Sequence, residues 1–568
     1  MNIMEKRGTG EARSDRTGLV IDEVTHHCWD DVADVVVVGF GGAGTVAALE
    51  ARSHGVDVIA LDRFGGGGAT AYSGGTYYAG GGTRYQREAG IDDTPEEMFK
   101  YLAAEGAVVA NSTLREFCEG SAADLEWIDG HGVPHGSNVY EGKTAFPPNG
   151  YWLFYSGNEL LPGFRDKARP APRGHRVRNP GSGGHVHYAK LKEAALRAGV
   201  RLFIHAPAQR LIVDRKGRVV GVRITQLPKA TWPRRQKLYD KNSPWKLLNA
   251  ENAEAAVREL ANAESSAGIT ISIRARKGVI LATGGFVYNL AMVHEAAPVL
   301  ADNYAGLLRL GSLGCDGSGI DLGRGVGGRT SYMSRFYLGR PLSPPEAFVH
   351  GIIVNQEGQR FINEDAYQTR FGDTLMLQPA NGRAWLILDR RAFWRGIRQI
   401  LLPKGFGYRR FAFLSLINIM LGGTRSARSP DILARKCGIN AQNLERTLAD
   451  YNGRIEDQKP DPLGKLAENS VILQNAPYYA VNVSLSNRYG PTFCFSLGGL
   501  DVNENTGEVL NADGAAIKGL YAAGRAAVGL CSGGYMTGLS IADTVFSGRR
   551  AGKHAALITE GNADDAAA

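Results

Sequence analysis

No two cysteines in this 568-residue chain stand at Cys-x-x-Cys spacing; Cys28, Cys118, Cys315, Cys437, Cys494 and Cys531 are scattered singly. That excludes a disulfide framework and a zinc site, and it fits a reducing compartment. The first 28 residues contain no apolar segment of the kind a secretory signal needs. A cytoplasmic protein is therefore expected. No apolar run approaches the roughly 20 residues needed to span a bilayer; the most apolar stretch, Phe411–Leu421, falls well short. The net charge of +8 is modest for the length, and no nucleic-acid-binding motif accompanies it, so no nucleic-acid partner is expected.

Glycine, by contrast, is plentiful. The 74 glycines cluster in short loops after apolar runs instead of following a period, which points to nucleotide-binding turns and away from collagen or disorder. The first cluster is Asp34-Val35-Val36-Val37-Val38-Gly39-Phe40-Gly41-Gly42-Ala43-Gly44, answered by Val56-Asp57-Val58-Ile59-Ala60-Leu61-Asp62. A buried parallel strand enters a glycine turn, a helix follows over Thr45–His54, and a second strand ends in an acid. In such a unit Gly39 permits the tight turn and Gly41 admits a pyrophosphate to the backbone. Gly44 lets helix and strand pack closely, and Asp62 can accept from an adenosine ribose.

The glycines continue through Gly65-Gly66-Gly67-Gly68-Ala69-Thr70, Ser73-Gly74-Gly75 and Gly80-Gly81-Gly82-Thr83. A long cofactor that crosses the domain and lays a flat ring against backbone needs such turns. Gly278–Gly285, carrying Thr283 and Gly284, repeats the pattern of a buried strand and a close-approach turn. So does Gly519–Arg525, carrying Gly524 and Arg525, and it leads into the run Gly529–Gly538. Together these stretches resemble the flavoproteins of the fumarate reductase and ketosteroid dehydrogenase superfamily, in which both ends of the chain contact FAD. The resemblance implies FAD as cofactor, held by Gly39, Gly41, Gly42, Ala43, Gly44, Asp62, Arg63, Gly68, Ala69, Thr70, Ser73, Gly74, Gly75, Thr283, Gly284, Gly524, Arg525, Gly538, Leu539 and Ser540. No Cys or His stands in Gly65–Gly82 to link the flavin covalently, so non-covalent FAD is expected; His175, His185 and His187 stay open as attachment points.

The expected architecture is α/β: a Rossmann-type FAD-binding domain with an inserted α+β capping domain. A flexible tail occupies 1–29, the first part of the FAD domain 30–310, the capping domain 311–475 and the second part of the FAD domain 476–568. Helices are predicted over Thr94–Gly106, Leu114–Gly130 and Val186–Ala198, and a last helix over Leu539–Ala551. A strand at Val219–Gln226 resumes at Ile269–Arg276, which makes 227–268 an insertion at a hairpin tip, read as a solvated surface excursion.

The loop Cys531–Ser540 opens the last helix, whose N-terminal N–H groups suit the anionic edge of a reduced flavin. With Glu364-Asp365-Ala366-Tyr367 and Arg340–Asn355, this loop resembles the bacterial 3-ketosteroid Δ4-(5α)-dehydrogenases, which place a double bond between C4 and C5 of a saturated 3-oxosteroid. The resemblance implies that Tyr535 binds the C3 oxygen, that Thr537 takes the C4 proton and that Tyr367 assists it. It places Phe493, Phe495 and Gly538 on the substrate, and it implies an external electron acceptor. Serine stands in that family where this chain has Thr537, a departure that keeps the hydroxyl but stiffens χ1.

A dicarboxylate substrate of the fumarate reductase kind is disfavoured, because Phe493 and Phe495 stand where a carboxylate ligand would be needed. Three readings stay open: a Δ1-ketosteroid dehydrogenase, a related steroid or enone reductase, and a non-catalytic flavin-binding redox partner. Residues 390–428 fall outside the resemblance. They hold nine basic side chains and no acid around the apolar run, which fits a membrane surface on the inner face of the cell membrane, a subunit contact or a buried helix.

Overall fold

The computed structural model describes residues 16–558 apart from 143, 145, 243, 245–249, 267, 341, 344 and 403–405; the side chains of 250–252, 254, 265, 266 and 406–411 are also left out. The expected tail up to residue 15 and the alanine-rich end from 559 lie outside the described residues.

Val35 to Val38 are buried on both faces, as an unbroken valine run in a central parallel strand requires. Their strand, Asp31–Val38, lies inside a nine-stranded sheet. Val58–Leu61 runs parallel on one side and Ile269–Leu281 on the other, and Arg201–Phe203 extends the sheet beyond Val58–Leu61. Alternate residues feed opposite cores: Val35 and Val37 pack under the helices of one face, Val36 and Val38 under the other.

Ile269–Leu281 is one 13-residue strand with a register shift between Ala275 and Gly278, where the sequence suggested two separate pieces. Its first half pairs antiparallel with Val219–Gln226, and its last three residues pair parallel with Ala516–Ala522. The ends of three strands therefore lie side by side: Val38 beside Leu281, and Leu281 beside Ala522. The turns that follow them open onto one crevice, the usual ligand position in a parallel sheet.

The first helix, Gly42–Ser53, is covered by the last, Leu539–Leu557. Small residues set their approach: a Cβ at Gly552 would stand 2.4 Å from the Ala47 carbonyl oxygen, and one at Gly548 2.9 Å from that of Ala43.

Two sequence expectations need correction. Residues 16–29 are not a free tail, since Leu19–Val20 pairs with Ile212–Val213 and Arg16 donates to the Ala208 carbonyl at 3.2 Å. Nor is 227–268 a solvated excursion. Its helices Trp232–Lys241 and Ala250–Ser266 bury Arg235, Tyr239, Ala253, Ala256 and Leu260 against the sheet's second core.

A second, antiparallel sheet orders Ile352–Asn355, Ala384–Leu388, Tyr478–Asn482 and Arg425–Ala427. Its third strand lies past residue 475, the expected end of the capping segment, because the chain must cross this sheet before it returns to the crevice. Between its strands lie the helices Arg390–Leu401 and Phe406–Leu421, which pack together. The second is not a fully buried helix: Ala412, Leu414 and Asn418 are buried, whereas Phe413, Met420 and Leu421 are exposed. Among the described residues, no helix is long and apolar enough to cross a membrane.

Candidate active site

A cavity of about 290 Å³ follows the crevice from Asp62 to Thr537. Gly39 turns at φ +97°, and a Cβ there would meet the Ala282 carbonyl oxygen at 2.6 Å, so glycine is required where the first strand leaves the sheet. Helix Gly42–Ser53 starts with no side-chain cap and no acid in its first turn. Its leading N–H groups thus stand ready for an anionic group in the cavity. Asp62 is half-buried, and desolvation pushes its pKa up. It accepts from Phe40, Phe64 and Gly66 N–H at 2.9, 2.8 and 3.1 Å. Three of its roughly four acceptor sites are thereby used in fixing the glycine loop, leaving about one for a ribose.

Of the twenty sequence-expected cofactor residues, eighteen line this cavity. Gly44 does not: its Cβ would stand 1.8 Å from the Gly39 carbonyl oxygen, so its absent side chain serves helix–strand packing. Leu539 is buried in the core behind the cavity. Thr283 lines the cavity, while its hydroxyl turns onto Gly319 and is buried without a hydrogen-bond partner among the described residues. An uncapped helix end opening onto a crevice lined by Gly39, Gly41 and Gly42 fits the pyrophosphate of a bound dinucleotide. His175 bonds to the Thr83 hydroxyl at 2.9 Å, and none of His175, His185 and His187 lines the cavity.

At the opposite end the wall becomes aromatic. Tyr337 stacks on Phe495, with centroids 4.6 Å apart, and meets Tyr535 edge-on at 4.7 Å. Phe493 and Phe495 belong to strand Thr492–Ser496, which pairs with Phe336–Gly339. Thr537 is held by its N–H on the Ser156 carbonyl at 3.1 Å. Tyr367 caps helix Gln368–Met376, its N–H on the Asn158 side chain at 2.6 Å. Their hydroxyls meet at 2.5 Å across 170 residues of sequence. Tyr367 itself lines a neighbouring cavity of about 210 Å³, while Gln368 lines both. Burial drives the Tyr535 and Tyr337 hydroxyls well above the usual tyrosine range and Tyr367 up to about 12.

Arg16, Tyr239, Glu264, Tyr337 and Gln368 also line the main cavity, and sequence reasoning missed all five. Only Gln368 carried a signal, its place next to Tyr367. Arg370 pairs with Glu105 at 3.3 Å and does not line the cavity.

The fold and this crevice define a dinucleotide-binding flavoprotein, and the chain belongs to the family described as FAD binding domain, which matches residues 34–538. Its cofactor is FAD. The chain is similar to the 3-oxo-5-alpha-steroid 4-dehydrogenase of Comamonas testosteroni, 34% identical over 512 residues that cover 87% of this chain and 93% of that one. A solved relative is the 3-ketosteroid-delta4-(5alpha)-dehydrogenase from Rhodococcus jostii RHA1 in complex with 4-androstene-3,17-dione. It has a TM-score of 0.78 and 32% identity, covering 96% of this chain and 100% of that one. The 3-oxosteroid 1-dehydrogenase of Mycolicibacterium smegmatis is 26% identical over 551 residues, 86% of this chain and 91% of that one.

Proposed function

We propose that this chain is an FAD-dependent oxidoreductase that forms the C4=C5 double bond of a saturated 3-oxosteroid. The observation that carries the reading is the 2.5 Å pair of Thr537 and Tyr367 hydroxyls beside Tyr535, in a wall of Phe493, Phe495 and Tyr337. Such a wall suits a rigid apolar skeleton and disfavours a dianion. FAD, when bound, supplies the acceptor for the hydride that leaves C5. Tyr535 donates its hydroxyl hydrogen to the C3 oxygen and stabilises the enolate charge that grows there. That charge makes the C4 proton acidic; Thr537 accepts it as it passes its own proton to Tyr367, whose hydroxyl proton moves on to solvent. The C4–H electron pair becomes the new double bond as the hydride departs. With its pKa raised to about 12, Tyr367 is neutral at neutral pH, so the proton moves through the pair as a relay and is not taken by a resident tyrosinate. An external electron acceptor completes the cycle.

Anaerobic mixing of the purified protein with saturated 3-oxosteroids tests this. The flavin absorbance should bleach, with one C4=C5 product per flavin. A C1=C2 product would favour a Δ1-dehydrogenase, and a spectral shift without reduction a redox partner.

The same reading extends to where the substrate is met. Helix Phe406–Leu421 turns Leu414 into the apolar cluster that holds Tyr337, Tyr367 and Phe493. Its outer face carries Phe413, Met420 and Leu421, and the adjoining helix exposes Trp394 and Leu401, with Leu402 just past its end, among Arg391, Arg395 and Arg398. Exposed apolar and aromatic groups interleaved with cations suit an anionic lipid surface, from which a poorly soluble steroid would have a short path to the cavity.

A further inference from the structure

The acid that ends the second strand of a βαβ dinucleotide unit marks the adenosine side of its ligand. Around Asp62 the cavity is bordered by Arg16, Arg63, Phe64, residues 206–209, Ser312, Tyr239 and Glu264. Tyr239 and Glu264 come from the two helices of the 227–268 insertion, which no motif connects with a nucleotide.

Both are built into place. Tyr239 is fully buried, its ring 4.4 Å from Phe64 and 5.7 Å from Tyr72, and its hydroxyl bonds to Ser312 on the opposite rim. Glu264 receives Arg63 through two bonds of 2.8 and 2.9 Å, and also Arg235 at 2.6 Å. Asp316, from the rim that carries Ser312, grips the other side of the Arg63 guanidinium. Burial alone would weaken the charge on Arg63; Glu264 and Asp316 more than offset it. The insertion and the 311–318 loop thus meet directly over Asp62–Phe64.

We propose that helices Trp232–Lys241 and Ala250–Ser266 of the insertion contribute to the FAD site, with Tyr239 walling the adenosine half of the cofactor and Glu264 acting as the positioning residue for Arg63. The inference rests on FAD as the cofactor and is independent of the steroid reading. Adenine is flat, aromatic and poorly solvated on its faces, so an aromatic wall excludes water from it. A guanidinium already fixed on two sides loses little further freedom when a ligand arrives beside it. An arginine left loose would lose much more.

The test uses holoenzyme and reads cofactor release by the recovery of free-flavin fluorescence after dilution, together with the visible spectrum of the bound flavin. Tyr239→Ala should release FAD about tenfold faster, the order expected for one lost aromatic contact to a base, with an unchanged bound-flavin spectrum. Glu264→Gln should speed release by a smaller factor, because Asp316 still holds Arg63. Tyr239→Phe, which keeps the wall, should stay closest to the parent. Release at the parental rate in both Tyr239→Ala and Glu264→Gln overturns the proposal. So does faster release accompanied by an altered flavin spectrum, which would mean a general loosening of the crevice.

Discussion

Thr537 occupies the position on which the proposed chemistry turns, and its side chain carries more constraint than the hydroxyl alone. Its methyl group limits χ1, and the backbone bond to Ser156 together with the Tyr367 contact fixes the hydroxyl at the cavity wall. Thr537→Ser should therefore keep most of the turnover, whereas Thr537→Val should abolish it. Tyr535→Phe should lower turnover by about 10²–10³, the cost of one lost oxyanion donor, with the FAD spectrum intact. Steady-state rates on one batch of each variant check all three; wild-type turnover in Thr537→Val would move the base elsewhere. A second residue-scale expectation concerns Glu159, which is buried, with one carboxylate oxygen unpaired among the described residues, and pushed up to about 7 by desolvation. A carboxyl whose folded pKa is raised contributes stability that is full below the unfolded pKa of about 4.3 and is lost as pH rises through 7. Glu159→Gln should match the parent's denaturant midpoint near pH 4 and exceed it at pH 8. A midpoint difference independent of pH would show that the carboxyl does not titrate in this window.

Among the elements, the closest contact that bears on the site is that of the first and last helices. Both N-termini open onto the crevice, through Gly42 and Ala43 in one and Ser540 in the other, so their spacing sets the width of the cofactor channel. Gly548 and Gly552 face Ala43 and Ala47 with no room for a further carbon. At Gly552 the obstacle is backbone, which cannot rotate away. Gly552→Val should lower stability by about 1–3 kcal/mol, the usual cost of overpacking, and should lower FAD occupancy as the helices part. Urea unfolding and the ratio of flavin to protein absorbance measure the two effects. Unchanged occupancy would show that the channel adapts to the wider spacing.

For the molecule as a whole, two outcomes follow. FAD should be released into the supernatant by trichloroacetic acid, since the run Gly65–Gly82 holds no cysteine or histidine and none of His175, His185 and His187 lines the cavity; colour retained in the pellet would mean a covalent link. The exposed apolar and cationic face of helices Arg390–Leu401 and Phe406–Leu421 should bind vesicles of anionic lipid. Each cation near such a surface contributes about 1 kcal/mol, so co-sedimentation should weaken in high salt and in a Phe413→Ser, Met420→Ser, Leu421→Ser variant. Equal recovery in the supernatant with and without vesicles would leave the face as a subunit contact.

What the sequence by itself determined is the cofactor crevice. Its parts are local: a valine run, a glycine turn and an acid lie within 34–62, and the two later strand–turn units repeat the signal. Short-range sterics force glycine wherever backbone must approach backbone or ligand, which is why eighteen of the twenty residues read from those turns line one cavity. The pairing of Tyr367 with Thr537 was legible only through family resemblance, because nothing within either segment specifies a partner 170 residues away. Tertiary structure alone decided the rest. Tyr337 enters the site through its strand's register with Phe495, and Arg16 through a strand of two residues in an apparent tail. Tyr239 and Glu264 enter through an alanine-rich, polar insertion whose composition suits solvent equally well. Such residues carry no local signature, since a helix with a few apolar positions is compatible with many neighbours. Which neighbour it meets is fixed by the burial of Leu260, Ala256 and Tyr239 against a sheet assembled from distant strands.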